Sequence, residues 1–139
     1  CTVHMFPGKT IFLKEGSHVG HGAIIHGANL GRNCLIGMNS VIMDDAVIGD
    51  QSIVGAMTFI KAASVFPNRS LIVGNPAKVL KEVSDEMLNW KTAGTKLYQQ
   101  LPADCYESLK EVEPLRELPR NRPKQEDFYK TFREIKNKK

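Results

Sequence analysis

Every sixth residue in the middle of the chain is a bulky aliphatic, and this period constrains the fold more than any other feature. The row runs without a break through Leu30, Ile36, Ile42, Ile48, Val54 and Ile60. Two positions before each member stands a small residue, and these are Ala28, Cys34, Ser40, Ala46, Ser52 and Thr58. A helix repeats its apolar positions every 3.6 residues and a strand every two, so neither element by itself explains the pattern.

A period of six fits a coil with three short flat faces, each of which points one aliphatic side chain inward. Stacked coils pair as parallel strands and bury a continuous aliphatic column. The sequence therefore predicts an all-β solenoid, a parallel β-helix built from hexapeptide repeats, over residues 1–76. Upstream the register is imperfect. Ile24 lies six residues before Leu30 but Val19 lies eleven before it, so we expect one residue to be missing from that turn.

The segments after the repeat are of a different kind. Pro76 closes the repeat, and a C-terminal α-helical region that packs on the β-helix is predicted over residues 77–118. Ser84 is its expected N-cap, and Pro102 is expected to end the helix or to begin a second one. Residues 119–139 form a basic tail that we expect to be flexible.

Composition excludes several classes of partner and location. The basic tail carries no signature of a nucleic-acid-binding fold, and no apolar run is long enough to span a membrane. We therefore expect neither nucleic acid nor membrane as a partner. The three cysteines show neither metal-binding nor disulfide spacing, which favours a reducing, cytoplasmic location.

All four histidines fall within the first 26 residues, at His4, His18, His21 and His26. Such a cluster predicts a metal site, because imidazole binds zinc well and three protein ligands plus water form a catalytic centre. His4 and His21 are separated by nearly one coil of three six-residue faces, so they are predicted to occupy similar positions on adjacent coils. His21 and His26 can lie up to roughly 15 Å apart, which predicts that a neighbouring subunit completes the site.

Three aspartates follow on later corners, at Asp44, Asp45 and Asp50. They can support a metal ligand or act as a base. Solvent-facing turn positions are the interpretation that the sequence favours for them.

The segment Val19–Gly27, VGHGAIIHG, with His4 before it, resembles the gamma-class carbonic anhydrase family. The blocks at 37–44 and 112–118 resemble its phenylacetic-acid-degradation and carnitine-operon branch. The resemblance implies a homotrimer of left-handed β-helices with Zn²⁺, or Fe²⁺ or Co²⁺, at each subunit interface. It assigns His4 and His26 of one chain and His21 of the next as metal ligands. His18 stands outside that set and is a candidate proton shuttle.

The resemblance also implies a function. A gamma-carbonic-anhydrase-like metalloenzyme would use metal-bound hydroxide on CO₂, as a carbonate dehydratase, or on an acyl-CoA thioester in aromatic catabolism. The family's other catalytic residues precede the first histidine, on N-terminal coils that we expect to be missing here, so no catalytic residue is assigned. Two alternatives stay open: a non-catalytic accessory protein of CoA and carnitine metabolism, and a hexapeptide acyltransferase, to whose final coil residues 71–78 are similar.

Overall fold

A computed structural model describes residues 1–122 and 130–137 and shows a parallel β-solenoid followed by a long helix. The strands in chain order are β1 (Thr2–His4), β2 (Phe12–Leu13), β3 (His18–Val19), β4 (Ile24–His26), β5 (Asn29–Leu30), β6 (Leu35–Ile36), β7 (Val41–Ile42), β8 (Val47–Ile48), β9 (Ile53–Val54), β10 (Phe59–Ile60), β11 (Val65–Phe66), β12 (Ser70–Val73) and β13 (Lys78–Glu82). The helices are α1 (Asp85–Ser108) and α2 (Phe132–Lys136).

The strands build three sheets, one for each face of the solenoid. Sheet A has the order β1-β4-β7-β10, sheet B the order β2-β5-β8-β11, and sheet C the order β3-β6-β9-β12. All of these pairs are parallel, and β13 adds an antiparallel strand to the outer edge of sheet C. Ile36 pairs with Val54, eighteen residues later, as stacked coils of three hexapeptides require. The predicted parallel β-helix is confirmed.

The core is the predicted aliphatic column. All six members of the row are buried, as are the six small residues that precede them. The prediction is wrong at one position: Ile25 points inward and Ile24 is 37% exposed. The missing residue lies in the corner between β4 and β5, where Ile25 precedes Leu30 by five. Because strand side chains alternate between faces, a shift of one residue exchanges the inward and outward sets.

The predicted helical region, residues 77–118, contains a strand as well as a helix. Strand β13 follows Pro76, and α1 runs from Asp85 to Ser108, so its start agrees with the predicted N-cap. Ser84 is its N-cap, since its hydroxyl accepts a hydrogen bond from the Met87 N–H at 3.3 Å. The prediction that Pro102 ends the helix or begins a second one is wrong, because α1 continues through it to Ser108. None of the helices in the described ranges is long and apolar enough to cross a membrane.

The chain divides into two compact units, residues 1–95 and 96–139. The first contains the solenoid and the opening turns of α1. The second contains the rest of α1 and the short helix α2, whose N-cap Thr131 forms a capping box with Glu134. Part of the predicted flexible tail, residues 123–129 and 138–139, lies outside the described residues.

A buried lysine joins the start of α1 to the solenoid. The Lys91 ammonium donates hydrogen bonds to the Gly16 carbonyl at 2.8 Å and to Asn33 Oδ1 at 2.5 Å. Neither acceptor carries a charge, and burial lowers the Lys91 pKa to about 8. Asn33 in turn donates to the Thr92 hydroxyl at 2.9 Å. The first turns of α1 are therefore held on the solenoid by polar contacts.

We expect the free energy of unfolding to rise with pH between about 8 and 10.5 through Lys91, because the unfolded chain binds the proton more tightly than the fold does. The Cys34 thiol lies near this amine, and burial raises its pKa, which acts in the opposite direction. Comparing wild type with Lys91→Met in denaturant titrations at pH 7.5, 8.5 and 9.5 isolates the lysine contribution. Equal pH slopes in the two proteins would contradict the prediction.

Candidate metal centre

Two histidines meet on the outer face of sheet A. His4 ends β1 and His26 ends β4, and the two are directly paired in register. The His4 Nδ1 and His26 Nε2 atoms are 3.0 Å apart, and the ring centroids are 5.0 Å apart. The prediction that His4 stacks on His21 is wrong, because a loop between β1 and β2 lengthens this coil to 22 residues and carries His4 past His21.

The corner that carries these histidines differs from the other two. His26 and Met43 follow inward aliphatic residues in sheet A, whereas the equivalent position in sheets B and C is glycine at Gly31, Gly37, Gly49 and Gly55. A Cβ at Gly37 would lie 2.5 Å from the carbonyl carbon of Gly55 in the next coil. In the central coils, side chains therefore occupy this position at the sheet A corner, where His26 lies, and not at the other two.

Asp44 orients His26 from the next coil. Its Oδ2 lies 2.9 Å from His26 Nδ1, and both side chains are 18% exposed. Gly27 makes room for this carboxylate: its φ is +61°, and a Cβ there would lie 3.1 Å from Asp44 Cγ and closer still to Oδ1. Solvent-facing turn positions were the favoured interpretation of the aspartates, and for Asp44 that interpretation is wrong. Asp45, by contrast, is exposed.

One hydrogen-bonding role follows from this arrangement. Since a carboxylate only accepts, His26 Nδ1 donates to Asp44, whereas the roles of His26 Nε2 and His4 Nδ1 depend on the tautomers of the two rings. The second oxygen of Asp44, Oδ1, is buried without a hydrogen-bond partner among the described residues. Such an orphaned carboxylate oxygen marks the site as polar and incompletely satisfied.

The geometry of this pair fits a shared cation. Two nitrogens bound to one tetrahedral Zn²⁺ at 2.0–2.1 Å are separated by about 3.3 Å, close to the 3.0 Å between His4 and His26. The His26–Asp44 contact is the outer support that metal-bound histidines commonly have. Within a single chain, however, no group of three or more His, Cys, Asp or Glu side chains that could hold a metal occurs among the described residues.

His21 and His18 lie elsewhere. His21 is exposed in the turn between β3 and β4, where its carbonyl accepts a hydrogen bond from the Asn39 N–H at 2.8 Å. It is thus at the opposite end of β4 from His26, as the sequence predicts. His18 lies on sheet C, with its Nδ1 3.1 Å from the Thr95 hydroxyl. Burial, and after it the charge of Lys91, lowers the His18 pKa. Its role as a proton shuttle stays a prediction.

A loop between β1 and β2 reaches the histidine pair; the break in the repeat at residues 6–16 predicts such a loop beside the histidines, but not its contacts. The Phe6 ring stands edge-on to His26 with centroids 5.1 Å apart. The Lys9 ammonium donates to both carboxylate oxygens of Asp45, at 2.9 and 3.0 Å. The Pro7-Gly8 turn in this segment was the available signal, but it does not reveal where the loop folds.

Comparison with known sequences agrees with this architecture. Residues 27–62 match the family described as bacterial transferase hexapeptide (six repeats). Over 124 residues the chain is 48% identical to the carnitine operon protein CaiE of Escherichia coli O157:H7 and to that of Shigella flexneri. The match covers 89% of this chain, which spans 63% of the length of these relatives.

Solved structures give the same result for the fold. A putative acetyltransferase from Bacillus cereus superposes with a TM-score of 0.74 at 32% identity, covering 79% of this chain and 63% of that one. A hexapeptide transferase family protein from Anaplasma phagocytophilum superposes with a TM-score of 0.68 at 27% identity, covering 73% of this chain and 60% of that one. Both similarities extend over most of the chain.

Proposed function

The chain belongs to the hexapeptide-repeat family of left-handed β-helix proteins, and from this we propose that it is a metal-binding accessory protein of carnitine and CoA metabolism. The single observation that supports a metal site is the His4–His26 pair. His4 Nδ1 and His26 Nε2 lie 3.0 Å apart, and Asp44 accepts a hydrogen bond from His26 Nδ1. The accessory role is supported by the 48% identity to CaiE, a protein named for the carnitine operon.

The proposed ligands are His4 and His26 of one subunit and His21 of its neighbour in a homotrimer. Zn²⁺ is the expected ion, with Fe²⁺ or Co²⁺ as substitutes. Such an ion would act as a Lewis acid and lower the pKa of a bound water. The protein's own contribution is orientation. Asp44 retains the proton at His26 Nδ1, which directs the lone pair of Nε2 toward the space shared with His4.

Metal-assisted hydrolysis is the second candidate, with CO₂ or an acyl-CoA thioester as substrate. The support of His26 by Asp44 favours it, because outer hydrogen bonds of this kind are common at catalytic metal centres. An acyltransferase is the third candidate, favoured by the 32% identity to a putative acetyltransferase. There the His26–Asp44 pair would serve as a general base through Nε2, which requires that nitrogen to be free of metal.

Metal content and activity together test these proposals. We expect about one equivalent of zinc, iron or cobalt per chain in the purified protein, measured by plasma emission spectrometry. Metal without CO₂ hydration or acyl-CoA cleavage supports the accessory role, and metal with either activity supports the hydrolase. Acetyl transfer by protein that contains no metal would overturn the metal site and favour the acyltransferase. The cytoplasmic location stays a prediction.

A further inference from the structure

We propose that Phe6 selects the acyl group that the histidine site accepts, by forming an apolar wall beside His4 and His26. This inference rests on the proposed function, since it assigns a ligand class to the same metal site. The class is a small acyl or carboxylate ligand whose polar end meets the imidazoles and whose alkyl chain lies on the Phe6 ring.

The wall belongs to the loop that distinguishes the first coil. β1 pairs with β4 at a separation of 22 residues, whereas β7 pairs with β10 at the ordinary eighteen. The extra residues lie between His4 and β2, directly after one of the two histidines. The loop is thus an insertion at the site itself, while the strand pairs from β5 onward keep the regular separation of eighteen.

In the single chain, the loop places an exposed apolar ring next to polar nitrogens. Phe6 remains 58% exposed although its ring contacts His26, and its neighbour Met5 is 45% exposed. Small-molecule sites combine an apolar lining with a few convergent polar groups, and the loop and the two imidazoles supply both. Covering the exposed part of the Phe6 ring with an alkyl chain removes apolar surface from water, which favours ligands with longer chains.

The turn after β7 contacts both the loop between β1 and β2 and His26. Asp45 binds Lys9 of the loop, and the preceding residue, Asp44, binds His26. The position of Phe6 relative to the imidazole pair is therefore fixed from two directions. Because the Lys9–Asp45 pair is exposed, salt is expected to weaken it and so loosen the wall.

The test is calorimetric binding of straight-chain carboxylates, from acetate to hexanoate, with the metal content of every sample measured. In the wild-type protein each added methylene is expected to tighten binding by about two- to fourfold. Phe6→Ala should abolish this dependence on chain length, and Phe6→Leu should retain part of it. Val65→Ala is the matched control, because Val65 is an exposed apolar side chain of sheet B, at 72%.

The outcomes separate this inference from the proposed function. If the carboxylate affinity of wild type does not change with chain length, or changes equally in wild type and Phe6→Ala, the role of Phe6 is overturned even where metal is bound. Absence of metal overturns the proposed metal site, and the dependence of affinity on chain length is evaluated independently of the metal content. Since Phe6 is exposed, the fold is expected to survive its replacement, and unchanged circular dichroism verifies this.

Discussion

Mixing the His21→Ala and His26→Ala variants is expected to restore metal sites that neither variant forms by itself. Each variant lacks a ligand in every site of its own homotrimer, so each should lose metal affinity by more than about 100-fold. In a mixed trimer, a chain with intact His26 can lie beside a chain with intact His21. Random assembly of equal amounts gives this arrangement at about one quarter of the interfaces.

The measurement is metal per chain after the two variants are refolded together and separately. His18→Ala serves as the control, because His18 lies on sheet C and is bonded to Thr95, and it should keep the full metal content. Asp44→Asn should weaken binding by about 10–100-fold without abolishing it. Failure of the mixture to bind more metal than either variant would reject the shared site, even if the wild-type protein binds metal.

Gly37→Ala is expected to lower the free energy of unfolding by about 3 kcal/mol or more, a large fraction of the stability of a small domain. A Cβ at this position would lie 2.5 Å from the carbonyl carbon of Gly55 and 2.7 Å from the Val54 carbonyl oxygen. Both contacts are backbone of the next coil, so relief requires the coils to separate and the parallel hydrogen bonds between them to lengthen.

Gly55→Ala is the matched control for this substitution. It stands at the same position of the repeat, but its added Cβ would chiefly meet a side-chain methyl, Val73 Cγ1, at 2.9 Å. A side chain can rotate away, so we expect a cost of about 1 kcal/mol. Urea titrations of both variants measure the difference. Equal losses of stability would show that close approach of the coils is not what selects glycine at this corner.

The hexapeptide row predicted the solenoid, its buried column and its parallel sheets. This was possible because each coil repeats the same local requirements: an inward aliphatic, a small residue two positions before it, and a short corner. Leu30 and Ile36 meet those requirements in the same way as Ile48 and Val54, so the pattern is visible without knowledge of the contacts between coils. The clustering of the histidines was equally visible, but their spacing predicted His4 beside His21, and only the family resemblance placed His4 and His26 in one chain.

The sequence by itself thus determined the coil, its inward face and the set of histidines, whereas the tertiary structure decided which of them meet. His4 lies on His26, and not on His21, because the loop after His4 changes how many residues separate stacked strands. The contacts of Asp44 with His26 and of Phe6 with His26 depend on the same stacking. The six-residue repeat is a local property that is visible from residues six positions apart. The register between stacked coils depends instead on the length and folding of the loops between the strands.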